Sequence, residues 1–111
     1  MEETFKQKQK LKIDLLISEE FMNACEKFPR HNSAHESYAI ALEEFEELTD
    51  ELVQIKEKMN ELWIAIKNDN QGSKQGEIIE QIKDLNLKLI TEAVQFSAMT
   101  ERFYNDIILP F

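Results

Sequence analysis

Glycine and proline occur only twice each and cysteine once, and no apolar run reaches the length of a membrane span. Each scarcity excludes something. With Cys25 alone, the chain has no intramolecular disulfide and no cysteine-built zinc cluster. Cys25 lies among apolar neighbours and is expected to be a small buried hydrophobe. The two glycines, Gly72 and Gly76, fall together in a polar stretch with no preceding strand, which excludes a glycine-rich phosphate loop. Basic residues are also short: 13 Lys and Arg stand against 22 Asp and Glu, for a net charge of −9. That balance argues against a general nucleic-acid binder, which needs a basic footprint, and against adsorption to anionic membranes. The opening MEETFKQKQKLK has no signal-peptide apolar core, so the expectation is a cytoplasmic protein.

What remains is Glu, Lys, Leu and Ile with few helix breakers, the composition of an all-α chain, and 111 residues make one domain. The apolar spacing predicts three helices, at about 4–28, 34–67 and 76–108. In the first, Leu11, Leu15, Ile17, Phe21, Met22, Cys25 and Phe28 supply the apolar face. The Lys/Gln-rich start is expected to fray, and Phe28-Pro29 stops the helix. Ser33 and Glu36 then fit a capping box that starts the second helix near Ala34. His31 lies before that cap, so it and His35 do not share a helical face, and a structural or supporting role suits them better than metal binding.

The second helix shows a seam of Tyr38, Ala41, Phe45, Leu48, Leu52, Ile55, Met59, Leu62 and Ile66, at spacings of three and four. Trp63 falls within its apolar arc and is read as core or subunit interface. The polar run 68–76 is a connector. In the third helix the seam is Ile78, Ile82, Leu85, Leu89, Glu92, Phe96, Met99, Phe103 and Asp106. Pro110 ends it, and Phe111 is placed to fold back. A short connector makes the second and third helices antiparallel neighbours. Such long amphipathic helices need more burial than one small chain offers. The expected architecture is therefore an antiparallel bundle of about three long helices completed by homo-oligomerisation, as a homodimer or homotetramer.

Two carboxylates, Glu92 and Asp106, occupy seam positions that ask for apolar residues. A charge there is costly unless paired or bound to metal. Glu44, Glu47 and Glu51 form a stripe beside the second helix's seam, while Glu43 and Glu46 point further outward. Facing helices that project Glu44, Glu47, Glu92 and Asp106 resemble the way bundles build divalent-metal sites. Ligands that are all oxygen favour Mg²⁺ or Mn²⁺ over zinc and suit phosphate chemistry, with Lys88 and Arg102 placed to contact phosphates. The alternative is ordinary helix-surface charge, solvated or paired with lysine.

The stretch HESYAIALEEFEEL, residues 35–48, resembles the first motif of the MazG-like, all-α nucleoside triphosphate pyrophosphohydrolases, E-E-x-x-E, through Glu43, Glu44 and Glu47. Glu92-Ala93-Val94-Gln95 stands where the family has E-x-x-D. With KFPRHNSAHESYAIALEEFEEL and TEAVQFSAMTERFYNDI, the chain is most similar to a short phage- and bacterium-associated branch. The resemblance covers about residues 27–52 and 88–108. It implies Mg²⁺-dependent cleavage of an NTP or dNTP between the α and β phosphates, giving a nucleoside monophosphate and pyrophosphate. Carried over, it makes Glu44, Glu47 and Glu92 metal ligands and Glu43 a ligand or helper, with Glu43 or Glu47 as general base. Gln95 replaces an expected aspartate and brings one neutral oxygen; Asp106 is the candidate to compensate. The interval from Glu47 to Glu92 also exceeds the family's usual one. The runner-up reading is a non-catalytic MazG-like module that binds nucleotide or protein, and the third is a coiled-coil adaptor without ligand.

Overall fold

A computed structural model describes residues 4–68 and 72–109. They form three α-helices, α1 (Phe5–Lys27), α2 (Ala34–Lys67) and α3 (Ser73–Phe103), followed by one π-helical turn at Tyr104–Ile108. There is no strand among the described residues, and the all-α class stands. No helix among them is long and apolar enough to cross a membrane. The fold-back of Phe111 after Pro110, and the middle of the connector, lie outside the described residues.

Local signals explain most of the boundaries. α1 does not fray up to residue 10 as its composition suggests. The Gln7 N–H donates to Thr4 Oγ1 at 3.1 Å and the Thr4 N–H to Gln7 Oε1 at 2.7 Å, a capping box that starts the helix at once. α2 begins where Ser33 caps it, accepting from the Glu36 N–H at 3.1 Å. Glu36 reaches back one residue further than the standard box, to the Asn32 N–H at 2.9 Å. α3 starts before the expected position 76. Gly72 takes a left-handed φ of 69° that few other residues tolerate, and the helix follows directly from Ser73. Gly76 thus lies inside a helix instead of the connector.

The chain divides into two compact units. The first is Met1–Phe45 with Ala93–Phe111, and the second is Glu46–Glu92. In the second unit, α2 and α3 run side by side in opposite directions around a small apolar cluster of Ala65, Ile78 and Ile82, with Leu62 against it. In the first unit Ala24 and Ala98 are buried, and the rings of Phe45 and Phe96 meet at 5.6 Å, tilted by 52°.

The third helix follows its predicted seam at every position from Ile78 to Asp106, each buried or half-buried. The second follows it in part: Ala41, Leu48, Ile55 and Leu62 are half-buried as the seam predicts, and the other five positions are not. Its inward stripe is Ser37, Ala41, Glu44, Leu48, Glu51, Ile55, Lys58, Leu62 and Ala65, also at spacings of four and three. Tyr38, Phe45, Leu52, Met59 and Ile66, assigned to the core from sequence, stay exposed. The helix carries two apolar stripes, and the one chosen inward is interleaved with Ser, Glu and Lys. α1 departs further. Leu11, Leu15, Met22 and Phe28 are exposed, and so is Cys25, which is not the buried hydrophobe expected. Trp63 is exposed as well, so it is not core.

Candidate functional site

In the second unit, one turn of α2 faces one turn of α3 across a cluster of charged side chains. The inward stripe of α2 carries Glu51 to within 3.0 Å of Lys88 Nζ, through Oε1. Glu47, one turn earlier and exposed, lies near enough to the Glu92 carboxyl to act on it electrostatically. Glu51 is 3% exposed and Glu92 9%. Oε2 of each is sealed from solvent and has no hydrogen-bond partner among the described residues. Burial pushes the Glu92 pKa above its ordinary value, and the nearby Glu47 and Glu51 charges push it the same way, partly offset by Lys88. Lys88 is raised in turn, first by its hydrogen bond to Glu51 and then by that residue's charge. The cluster holds more negative charge than its one lysine balances. That imbalance calls for a proton or a cation.

In the first unit, Glu43, Glu44 and Gln95 line a cavity of about 460 Å³ together with Glu20, Asn23 and Met99. Glu43 is exposed, whereas Glu44 and Gln95 are half-buried. The expected helper and the amide that stands in for aspartate thus border one cavity.

Arg102 and Asp106 form a different kind of site. Arg102 is 2% exposed, and its donors are already committed. Nε donates to Asp106 Oδ2 at 3.1 Å, Nη1 to the Ala24 carbonyl at 2.9 Å, and Nη2 to the carbonyls of Phe28 and Pro29 at 2.9 and 2.6 Å. Asp106 also accepts from the His31 N–H and from Asn105 Nδ2, each at 2.9 Å. Burial alone raises the Asp106 pKa. The His31, Asn105 and Arg102 hydrogen bonds and the Arg102 charge outweigh it and hold the carboxyl below its ordinary value. The geometry therefore corrects two sequence expectations. Arg102 ties the end of α1 to α3 by satisfying open carbonyls, instead of reaching for phosphate, and Asp106 is its counter-ion instead of a metal ligand. His31 has the structural role expected of it, sharing a 2.7 Å hydrogen bond with Ser37 through Nδ1. The signal for this network was present in the sequence, since Arg102 lies four residues before the seam carboxylate Asp106.

Glu47, Glu92 and Lys88, all expected at the site, lie near one another, and Glu51, which was not among the expected site residues, joins them. Its signal was the continuation of the stripe from Glu44 and Glu47. No group of three or more His, Cys, Asp and Glu side chains among the described residues encloses a metal ion by itself. The fit to Mg²⁺ therefore rests on the buried, unpartnered oxygens of Glu51 and Glu92. Mg²⁺ is commonly held by one or two carboxylates, with waters and substrate phosphates completing the octahedron. On that criterion the residues fit. No family model, curated protein or solved structure matches the chain.

Proposed function

We propose that this protein is a MazG-like nucleotide pyrophosphohydrolase, dependent on Mg²⁺ or Mn²⁺, that converts an NTP or dNTP to the monophosphate and pyrophosphate. The observation that carries the reading is the Glu47–Glu92 carboxyl pair beside Glu51, with two buried oxygens that lack hydrogen-bond partners. A divalent cation there would neutralise polyphosphate oxygens and make bound water a better nucleophile. The chain's own contribution is to hold that charge in place and manage protons. Glu92 and Glu47 present a facing pair, with Glu51, paired to Lys88, beside it. Glu47, with Glu43 as the alternative, is the general base, and Lys88 at the mouth of the cluster is available to phosphate. The same reading includes a helical bundle completed by a second copy of the chain.

A second reading has its own support. Gln95 supplies no charge where the resembled motif has an aspartate, and among the described residues no three acidic, His or Cys side chains are arranged to hold a metal ion by themselves. Both favour a module that binds nucleotide without cleaving it.

Pyrophosphate release from a panel of NTPs and dNTPs, with Mg²⁺ or Mn²⁺, separates the two. The first reading expects turnover that falls by about 10²-fold or more in Glu47→Gln and Glu92→Gln, the scale of a lost acid–base or charge-stabilising group. Nucleotide-dependent stabilisation without release favours the second. Neither release nor stabilisation would overturn both.

A further inference from the structure

The buried carboxylates of the second unit already carry a cation of the chain's own. Glu51 on α2 and Lys88 on α3 form an ion pair whose two ends differ in freedom. The Lys88 side chain is 61% exposed, whereas that of Glu51 is 4% exposed. The charges of Glu92 and Glu47 act on Lys88 as well, after that of Glu51. One flexible ammonium thus serves three carboxylates from an exposed position. Glu51 Oε2 and Glu92 Oε2 remain sealed from water with no hydrogen-bond partner among the described residues. The cluster is therefore partly neutralised at its open side and left uncompensated within.

Lysine is suited to holding such a place temporarily. Its ammonium is a compact, strongly hydrated charge on a flexible four-carbon stem, so it exchanges a carboxylate for water at small cost. Glu51, being buried, cannot follow it out. A divalent cation held by the same carboxylates meets the ammonium as a like charge, and the repulsion grows where burial keeps water away. Lys88 is the partner with room to move aside. A triphosphate reverses the sign of its contribution. Phosphate oxygens bring new negative charge to the mouth of the cluster, and a displaced lysine pairs with them. We infer that Lys88 is a placeholder counter-ion, opposing divalent-cation binding at Glu47, Glu51 and Glu92 while nucleotide is absent and favouring it once a nucleoside triphosphate is present. The inference rests on the cation site of the proposed function and adds a regulation to it: the site takes up metal together with nucleotide in preference to metal alone.

Calorimetric titration of the full chain with Mn²⁺, with and without a non-hydrolysable nucleoside triphosphate, tests it. Lys88→Met should bind Mn²⁺ alone about 10-fold more tightly than the wild type, within the usual range for coupled sites. Nucleotide should strengthen Mn²⁺ binding in the wild type and do so by a smaller factor in Lys88→Met. Lys88→Arg keeps the charge and should stay close to the wild type. Lys83→Met controls for net charge. Lys83 also lies on α3 but pairs with Glu80 at 3.3 Å on an exposed face, so its loss should leave Mn²⁺ binding nearly unchanged. Both lysines are exposed, and circular dichroism should show equal helicity throughout. Equal Mn²⁺ affinity in Lys88→Met and the wild type, or the same gain in Lys83→Met, would overturn the placeholder and leave the cation site standing. A nucleotide effect of the same size in the wild type and Lys88→Met would overturn the handover to phosphate. Absence of Mn²⁺ binding from every protein, with and without nucleotide, would overturn the cation site and this inference with it.

Discussion

At Glu92 the desolvation of one carboxyl and the charges of two others act in the same direction, and only Lys88 opposes them. Without divalent cations, Glu92→Gln therefore raises the thermal midpoint at neutral pH, because it removes a charge the fold must otherwise hold beside Glu47 and Glu51. With saturating Mg²⁺ the order reverses, since only the wild type gains the stabilisation that binding confers. Differential scanning fluorimetry with and without the metal checks both halves. Asp106 behaves oppositely. Its folded pKa lies below the ordinary 3.8, so its contribution is complete above that value and is lost as pH falls through the lower, folded one. Asp106→Asn should flatten the acid limb of the stability curve below about pH 4. Arg102→Ala leaves Asp106 buried and several carbonyls open, and it should destabilise by about 3 kcal/mol or more in chemical denaturation. That these two residues bind each other was harder to see in the sequence than that they are unusual. A charged residue on a seam announces a partner, but the periodicity of one helix does not say whether the partner is a metal, a phosphate or a neighbouring arginine.

Helix starts were the most legible elements where a side chain could close on a backbone N–H. Ser33 announces the start of α2; Thr4 and Gln7 have the same spacing at the start of α1, but the surrounding lysines suggest a solvated end and mask it. Ser33→Ala should lower stability by about 1 kcal/mol. Composition places Gly76 in the connector, yet it occupies a helical position with nothing within 4 Å of an added Cβ. Gly76→Ala should thus stabilise by about 0.5–1 kcal/mol, whereas Gly72→Ala, with its positive φ, should destabilise. Equilibrium urea unfolding resolves changes of this size. The seams teach a second lesson. The seam positions expected of α3 are all buried or half-buried, although Ala98 and Arg102, more buried than any of them, lie beside that seam. α2 has two apolar stripes, and hydrophobicity favoured the stripe containing Phe45, Leu52, Met59 and Ile66. The fold instead turned inward the stripe containing Glu44, Glu51 and Lys58. Carboxylates on the buried stripe and large apolar groups on the exposed one invert the usual arrangement, and both inversions ask for a ligand or partner.

At the scale of the whole molecule, the all-α class follows from composition, whereas the extent of burial does not. α1 exposes most of its apolar side chains and is held chiefly where Arg102 captures the carbonyls at its end. The second unit's core is equally thin. A chain built this way should melt at a temperature that rises with its own concentration, because assembly stabilises it by mass action. A midpoint unchanged across a hundredfold range would count against the assembly. Both proposed readings place a cation beside Glu47 and Glu92 in the carboxylate cluster. The most direct test is calorimetric titration of the wild type, Glu47→Gln and Glu92→Gln with Mn²⁺, alone and with a non-hydrolysable nucleoside triphosphate. Binding that strengthens with nucleotide in the wild type and is lost in both variants is the predicted result. Equal Mn²⁺ affinity in all three proteins would contradict the account.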